Sequence, residues 1–175
     1  ACEHPVIGSY IHKVQFDELM QTLDLPIDEC KQFANDVLER FENPFVDHQV
    51  TSIMLNSFPK YETRDLPGVK TYLKRKGKLP EGLVLGLAAI ITYYKGGKRD
   101  DGTNIVPNDD QKIMDHLTEL WATGNTQAVA EGVLAFDYVW HEDLNQTVPG
   151  LCDMVKRYLD LIQEKGMLEA VKTIL

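Results

Sequence analysis

The stretch from residue 40 to residue 60, RFENPFVDHQVTSIMLNSFPK, places polar groups at helical spacing along a mostly apolar helix. The polar groups recur every four residues, as His48, Ser52, Asn56 and Lys60. The apolar side chains between them are Val50, Ile53, Met54, Leu55 and Phe58. A helix of this composition has to bury most of its surface, so its polar stripe is predicted to face a partner, a ligand or trapped water.

Two prolines predict the limits of this helix. Asn43 is a suitable N-cap, and Pro44 suits the first helical position because an N–H group there would have no partner. Pro59 removes a backbone donor and clashes with the preceding turn, so we expect the helix to end or kink there and to present Lys60 at a bend. Asn56 lies one turn before Lys60 and is therefore the best candidate to act with it on one small ligand.

The rest of the chain also predicts helices, because apolar residues recur at helical spacing. The expected helices cover residues 5–23, 27–41, 66–76, 80–95, 108–123, 126–138, 149–164 and 166–173. Residues 95–107 are rich in Gly, Asp and Asn and are expected to form the main irregular connection. We therefore predict one all-α domain over residues 1–175. Its expected core includes Phe33, Leu38, Ile53, Leu55, Leu85, Ile90 and Leu117.

The same stretch carries a family resemblance. The order R-F-x-N-P, H-Q, I-x-x-N-S and K, followed by Arg64 and Pro67, resembles the C-terminal domain of the long-chain polyol (mannitol) dehydrogenases. Within that family it is most similar to the tagaturonate reductase (altronate oxidoreductase) branch. The similarity continues through residues 79–96, 106–110 and 148–171 and so covers nearly the whole chain.

The resemblance implies the multi-helical domain that follows a Rossmann domain in 6-phosphogluconate-dehydrogenase-like enzymes. It implies an NAD-dependent oxidoreductase that interconverts a keto sugar acid and its hydroxy acid, tagaturonate and altronate or a related hexuronate. The family binds NAD mainly through an N-terminal nucleotide-binding domain, and this chain has no G-x-G-x-x-G motif after a strand. The family's catalytic lysine motif, K-x-x-x-x-N-x-x-H, has no match here either and is expected upstream. This chain alone is therefore predicted to be inactive, with Ala1-Cys2-Glu3 as a boundary inside a longer protein.

The resemblance also implies a substrate-binding role for the polar stripe. Lys60 matches a family lysine that contacts substrate, and Asn56 and His48 match polar positions on the same helix. Ser52 stands where the mannitol-oxidising relatives tend to carry an arginine, which favours a uronate reductase over a mannitol dehydrogenase. The expected site is thus Lys60, Asn56, His48 and Ser52, with no catalytic, cofactor-binding or metal-binding residue in this chain.

The chemistry of these side chains fits that role, although each has a structural alternative. A lysine ammonium can neutralise the carboxylate of a keto acid or stabilise alkoxide charge during hydride transfer, and Asn56 can orient a hydroxyl through its donor and acceptor. Lys60 could equally be a solvated charge, and His48 could make a structural hydrogen bond. The stripe would then be an interface seam in a non-catalytic interaction or dimerisation domain.

Composition excludes several other classes of function. The formal net charge of −9 disfavours binding to nucleic acid or to an anionic membrane. The three cysteines, Cys2, Cys30 and Cys152, are odd in number and far apart, so a disulfide framework or zinc cluster is not expected. Residues 83–94 form the most apolar run, which is too short for a membrane helix. We expect a cytoplasmic protein, and the sequence leaves its oligomeric state open.

Overall fold

A computed structural model of the chain describes residue 14 and residues 16–41, 56–96 and 110–175. Within these ranges the backbone forms helices and no β-strand, which confirms the predicted all-α class. The helices are α1 Phe16–Leu23, α2 Ile27–Phe41, α3 Ser57–Lys60, α4 Leu66–Lys76, α5 Glu81–Tyr94, α6 Gln111–Ala122, α7 Thr126–Leu134, α8 Asp137–Trp140, α9 Leu144–Thr147, α10 Leu151–Lys165 and α11 Met167–Lys172. A π-helical turn, Tyr61–Asp65, joins α3 to α4.

Most predicted boundaries that fall on described residues agree with these helices to within three residues. The helix starts predicted at residue 5 and at Pro44 lie outside the described residues. The exception is the single helix predicted over 126–138, because α7 stops at Leu134 and α8 starts only at Asp137. Phe136 interrupts the helix with a non-helical backbone, φ −77° and ψ 85°, and its ring stacks on His116 of α6 with centroids 3.9 Å apart. This tertiary contact turns the chain where the apolar pattern alone indicates a continuous helix.

Side-chain caps fix the starts of α6 and α7, among other helices. The Asp110 carboxylate accepts the N–H groups of Lys112 and Ile113 at 3.0 and 3.2 Å, which begins α6. Asn125 accepts the N–H of Gln127 at 2.9 Å and begins α7 in the same way. Such caps satisfy amides that have no partner inside the helix, and each contributes about 1 kcal/mol.

The core is built around α5. Its buried residues include Val84, Leu85, Leu87, Ala88 and Ile91, and α10 packs against both α5 and α7. A side chain such as Leu85, once fully buried, contributes roughly 1.5–3 kcal/mol through the hydrophobic effect. No helix among the described residues has the length and apolar character needed to cross a membrane.

The predicted core is confirmed at Leu85 and Leu117, which are 1% and 0% exposed. Ile90 is only partly buried but packs against this core.

Phe33 was predicted wrongly, because its side chain is 68% exposed. Helix α2 packs against α1, where Lys31 pairs with Asp17 at 2.9 Å. Phe33 follows Lys31 by two positions, which is a rotation of about 200° around a helix, so its side chain points away from α1. The predictions for Leu38, Ile53 and Leu55 fall on side chains outside those that the structure describes.

Candidate functional site

Helix α3 begins at Ser57, directly after a break at Asn56. Asn56 has a left-handed backbone, with φ 60° and ψ 36°, so it cannot belong to a continuous helix that runs through it. The helix was predicted to end or kink at Pro59, and its α-helical part ends one residue later, at Lys60, where the π-helical turn begins. Pro59 lies in the first turn, where its missing N–H costs nothing, and helical structure continues from it to Lys76.

Asn56 and Lys60 are held one turn apart at this helix start. The backbone N–H of Lys60 donates to the carbonyl of Asn56 at 3.2 Å. The Asn56 side chain is exposed and does not cap the helix, while Lys60 is half-buried. The structure thus brings two of the four predicted site residues into the same turn. His48 and Ser52 lie outside the residues that the structure describes.

Two buried aromatic side chains flank Lys60 in the sequence and attach its turn to the core. Phe58 is 1% exposed, and its ring centroid lies 4.7 Å from that of Tyr94 and 5.7 Å from that of Trp140. Tyr61 is 2% exposed, and its ring meets Trp140 edge-on with centroids 6.2 Å apart. Such edge-to-face pairs contribute about 0.5–1.5 kcal/mol each beyond their buried area. The backbone of Lys60 is therefore anchored on both sides.

The π-helical turn begins immediately after Lys60. In it, the N–H of Leu66 donates to the carbonyl of Tyr61, five residues earlier, and the Thr63 hydroxyl donates to the carbonyl of Pro59 at 2.8 Å. Single π-turns within helices occur frequently at functional sites because the inserted residue redirects the side chains around it. Sequence reasoning missed this turn, since nothing in the apolar spacing marks an inserted residue.

Asp65 closes the π-turn as a half-buried carboxylate. Burial raises the pKa of Asp65 above its ordinary value, and the positive charge of Arg64 opposes this only in part. A carboxylate whose pKa is shifted by burial is one of the features that mark functional sites, and Asp65 lies five positions after Lys60. Structural ion pairs can shift a pKa as well. The sequence analysis did not single out Asp65, because its burial depends on tertiary packing.

A separate groove of about 600 Å³ lies beside α10 and is lined mainly by charged residues. Its groups already pair with each other: the Tyr158 hydroxyl donates to Glu81 Oε2 at 2.9 Å, and Arg157 Nη2 lies 3.4 Å from Glu81 Oε1. Burial and the bond to Glu81 raise the pKa of Tyr158. These contacts link α5 to α10, so we interpret the groove as structural. Within the described ranges, no cluster of three His, Cys, Asp or Glu residues could hold a metal ion.

Comparison with known proteins matches this chain to altronate oxidoreductases. The protein of that name from Bacteroides thetaiotaomicron is 73% identical over 175 residues, which cover 100% of this chain and 36% of the relative. The one from Phocaeicola vulgatus is 74% identical with the same coverage. The one from Pectobacterium carotovorum is 41% identical over 95% of this chain. The chain thus spans 36% of the length of these relatives.

A sequence model of the mannitol dehydrogenase C-terminal domain matches residues 1–163. This match covers nearly the whole chain, and it agrees with the all-helical structure of the described residues. It also contains the turn of Asn56 and Lys60. The chain therefore belongs to the mannitol dehydrogenase C-terminal domain family.

Proposed function

We propose that this chain is the substrate-binding helical part of an NAD-dependent oxidoreductase. Its reaction interconverts a keto sugar acid and its hydroxy acid, with tagaturonate and altronate, or a related hexuronate, as the substrate pair. The observation that carries the proposal is the identity of 73–74% over the whole chain to proteins named altronate oxidoreductase. We place the complete enzyme in the cytoplasm.

In this proposal Lys60 is the main contact to the sugar acid. Lys60 is the last residue of the four-residue helix α3, and its side chain is half-buried. A bound carboxylate, or the alkoxide charge that grows during hydride transfer, is stabilised most strongly when water is excluded from such a cation. Asn56 would orient a substrate hydroxyl in the same turn, and His48 and Ser52 complete the proposed set.

The described residues of this chain do not form a binding site of the kind that holds NAD. A dinucleotide is usually held where a strand, a glycine-rich loop and a helix N-terminus meet, and the described residues form helices without a strand. The proposal therefore assigns NAD and the catalytic lysine to a nucleotide-binding domain in the rest of the longer protein. The helical domain would close over the sugar acid from the other side.

The test is steady-state NADH oxidation by the full-length protein that contains this chain. Tagaturonate, fructuronate and fructose are compared at equal concentrations, with NADPH replacing NADH in a parallel series. We expect a keto sugar acid to have a kcat/KM at least about tenfold above that of fructose, because an anionic group is available only in the acids. Faster turnover of fructose would contradict the proposal.

A second candidate function, a non-catalytic interaction or dimerisation domain, is favoured by one observation. Helices α1 and α2 and their connection expose large apolar side chains, namely Leu19, Leu23, Leu25 and Phe33. Exposed apolar side chains that lie together mark interaction sites. Sedimentation of the full-length protein and of its Phe33→Asp variant tests this function. Two results together would favour the second candidate over the first: the full-length protein turns over none of the three sugars, and it forms a dimer that the Phe33→Asp variant does not form.

A further inference from the structure

We propose that Tyr61 is a positioning residue that holds Lys60 in the orientation needed to meet the sugar acid. This inference rests on the proposed function, because it assumes that Lys60 contacts substrate. Tyr61 itself is buried, with 2% of its surface exposed. It would act through the backbone and side chain of its neighbour.

The first argument is the position of the Tyr61 ring. The backbone passes from the half-buried Lys60 directly to Tyr61, which is 2% exposed. The Tyr61 ring packs edge-on against Trp140. Neighbouring residues on a helix point to different sides of it, so the ring fixes the inner side of the turn while Lys60 projects from another side. A rotation of this turn would have to move a buried ring in a close-packed core.

The second argument is the Tyr61 hydroxyl, which adds a directional contact to this packing. It donates to the carbonyl oxygen of Leu83 at 2.9 Å. Leu83 lies in the first turn of α5, and its backbone N–H is 3.3 Å from the Glu18 carboxylate. The acceptor of the Tyr61 hydroxyl is therefore itself fixed by a contact from α1. Phenylalanine could fill the space of the ring, but it could not make this bond.

The third argument is the backbone geometry at Tyr61. The π-turn starts at this residue: its N–H still donates to the carbonyl of Ser57, as in an α-helix, whereas its own carbonyl accepts from Leu66, five residues later. A π-turn inserts one residue into the helix and so changes the directions of the side chains around it. The bond from Tyr61 to Leu83 connects the start of this turn to a regular helix and so fixes the direction in which Lys60 projects from the turn.

The chain offers a matched control in Tyr72. It lies in the same helical segment, is 3% exposed, and its hydroxyl is 3.3 Å from Gln21 Oε1. It is twelve positions away from Lys60, so Tyr72→Phe removes a buried hydroxyl without touching the Lys60 turn. Circular dichroism and a thermal melt establish that Tyr61→Phe and Tyr72→Phe are folded at the assay temperature.

The first experiment is a kinetic double-mutant cycle in the full-length enzyme with tagaturonate and NADH. We expect Tyr61→Phe to lower kcat/KM by at least about fivefold and Tyr72→Phe to change it by less than about twofold. Because Tyr61 is proposed to act through Lys60, the change should have no further effect in a Lys60→Ala background. Equal losses in both tyrosine variants, or an undiminished loss in the Lys60→Ala background, would overturn the proposal.

The second experiment does not depend on the reaction. Lysines of the full-length protein are methylated with ¹³C-formaldehyde, and the Lys60 signal is assigned by its loss in Lys60→Arg. In the wild type we expect a restricted Lys60 signal, and we expect Tyr61→Phe, but not Tyr72→Phe, to shift or narrow it. A Lys60 signal as mobile as that of the exposed Lys74 would overturn the proposal even if both tyrosine variants failed to fold. If the wild-type enzyme does not turn over tagaturonate, the proposed function is refuted. The mobility of the Lys60 signal then tests the positioning role of Tyr61 by itself.

Discussion

The side-chain carboxylate of Glu18 caps α5, a helix that begins at Glu81, far away in the sequence. Its two oxygens lie 3.0 and 2.9 Å from the backbone N–H of Gly82, and Oε2 lies 3.3 Å from that of Leu83. Helix α5 has no cap from its own preceding residue, because Pro80 has no side chain that can accept a hydrogen bond. Glu18 thus joins α1 to the central helix of the core.

We predict that Glu18→Ala lowers the free energy of unfolding by about 1–2 kcal/mol, the range for loss of a helix cap. The first-turn amides of α5 would lose their acceptor in a partly buried place. Thermal melts of the purified protein measure this change. Glu119→Ala serves as the control, because Glu119 is exposed on α6 and surface changes usually stay within about 0.5 kcal/mol. Equal melting temperatures for the two variants would contradict the capping role.

Glu18 should also make stability depend on pH. Burial raises the pKa of Glu18 above its ordinary value of 4.5, and the hydrogen bonds from Gly82 and Leu83 only partly offset this. Between the unfolded and the folded pKa, the folded protein binds more protons than the unfolded one, so stability falls as pH rises. The contribution is fully present below about 4.5 and is lost as pH rises through the folded pKa.

The measurement is urea unfolding of the wild type and Glu18→Gln at several pH values from 4.5 to 7. The glutamine keeps an acceptor for the α5 amides but does not titrate. We therefore expect the stability of the wild type relative to the variant to decrease with rising pH. A difference that stays constant or increases would show that the folded pKa of Glu18 is not raised.

The close approach of α1 to α5 also predicts the effect of a side chain at position 82. A Cβ atom on Gly82 would lie 2.7 Å from both Glu18 Oε2 and Val14 Cγ1. We expect Gly82→Ala to cost about 1–3 kcal/mol, as overpacking usually does. Gly68→Ala is the matched control, because its Cβ would meet Leu83 Cδ1 at an ordinary 3.5 Å. An alanine at position 68 should be neutral or stabilise the helix by up to about 1 kcal/mol. Chemical denaturation of Gly82→Ala and Gly68→Ala measures the free energy of unfolding of each variant.

These contacts show which part of the fold could be predicted from sequence. Helices such as α5 and α10 are specified by local apolar periodicity and by residues that start and stop helices, so their bounds were predicted closely. The cap from Glu18 to Gly82 joins residues far apart in the chain, and no local pattern encodes it. Phe33 was misplaced for the same reason, since an apolar residue in a helix is buried only if another element covers it.

The candidate site, too, could be predicted only in part from the sequence. Lys60 and Asn56 could be proposed because they match positions of a known family and share helical spacing. That spacing did not predict the left-handed backbone of Asn56 or the π-turn after Lys60. Phe58 and Tyr61, which follow these features or lie within them, pack against Trp140, a residue about eighty positions later that no local pattern connects to them. A buried tyrosine reads as ordinary core in the sequence, and only its contacts suggest that it positions a neighbour.

The 175-residue chain should not oxidise NADH in the presence of tagaturonate. It contains neither the glycine-rich nucleotide motif nor the lysine motif of the family. The assay compares the isolated chain with the full-length protein at equal concentration, with the Lys60→Ala chain as the background control. Turnover by the isolated chain above that background would refute the division of labour in the proposed function.

We predict that in the full-length enzyme Lys60→Ala impairs catalysis far more than stability. Loss of one charge-assisted contact to the sugar acid should cost about 1.5–3 kcal/mol, or about ten- to a hundredfold in kcat/KM. Lys60→Arg should recover only part of this, because the guanidinium keeps the charge but has a different shape and donor geometry. Steady-state kinetics with the keto sugar acid are measured together with a thermal melt of each variant.

Lys74→Ala provides the control for that experiment, because Lys74 is exposed further along the same helical segment. Its removal should leave kcat/KM unchanged and alter stability by less than about 0.5 kcal/mol. If Lys60→Ala behaves like Lys74→Ala, Lys60 does not contact substrate, and the roles assigned to Asn56, His48 and Ser52 lose their support with it. The turn around Lys60 would then be an interface, and the exposed apolar residues of α1 and α2 would become the surface to examine next.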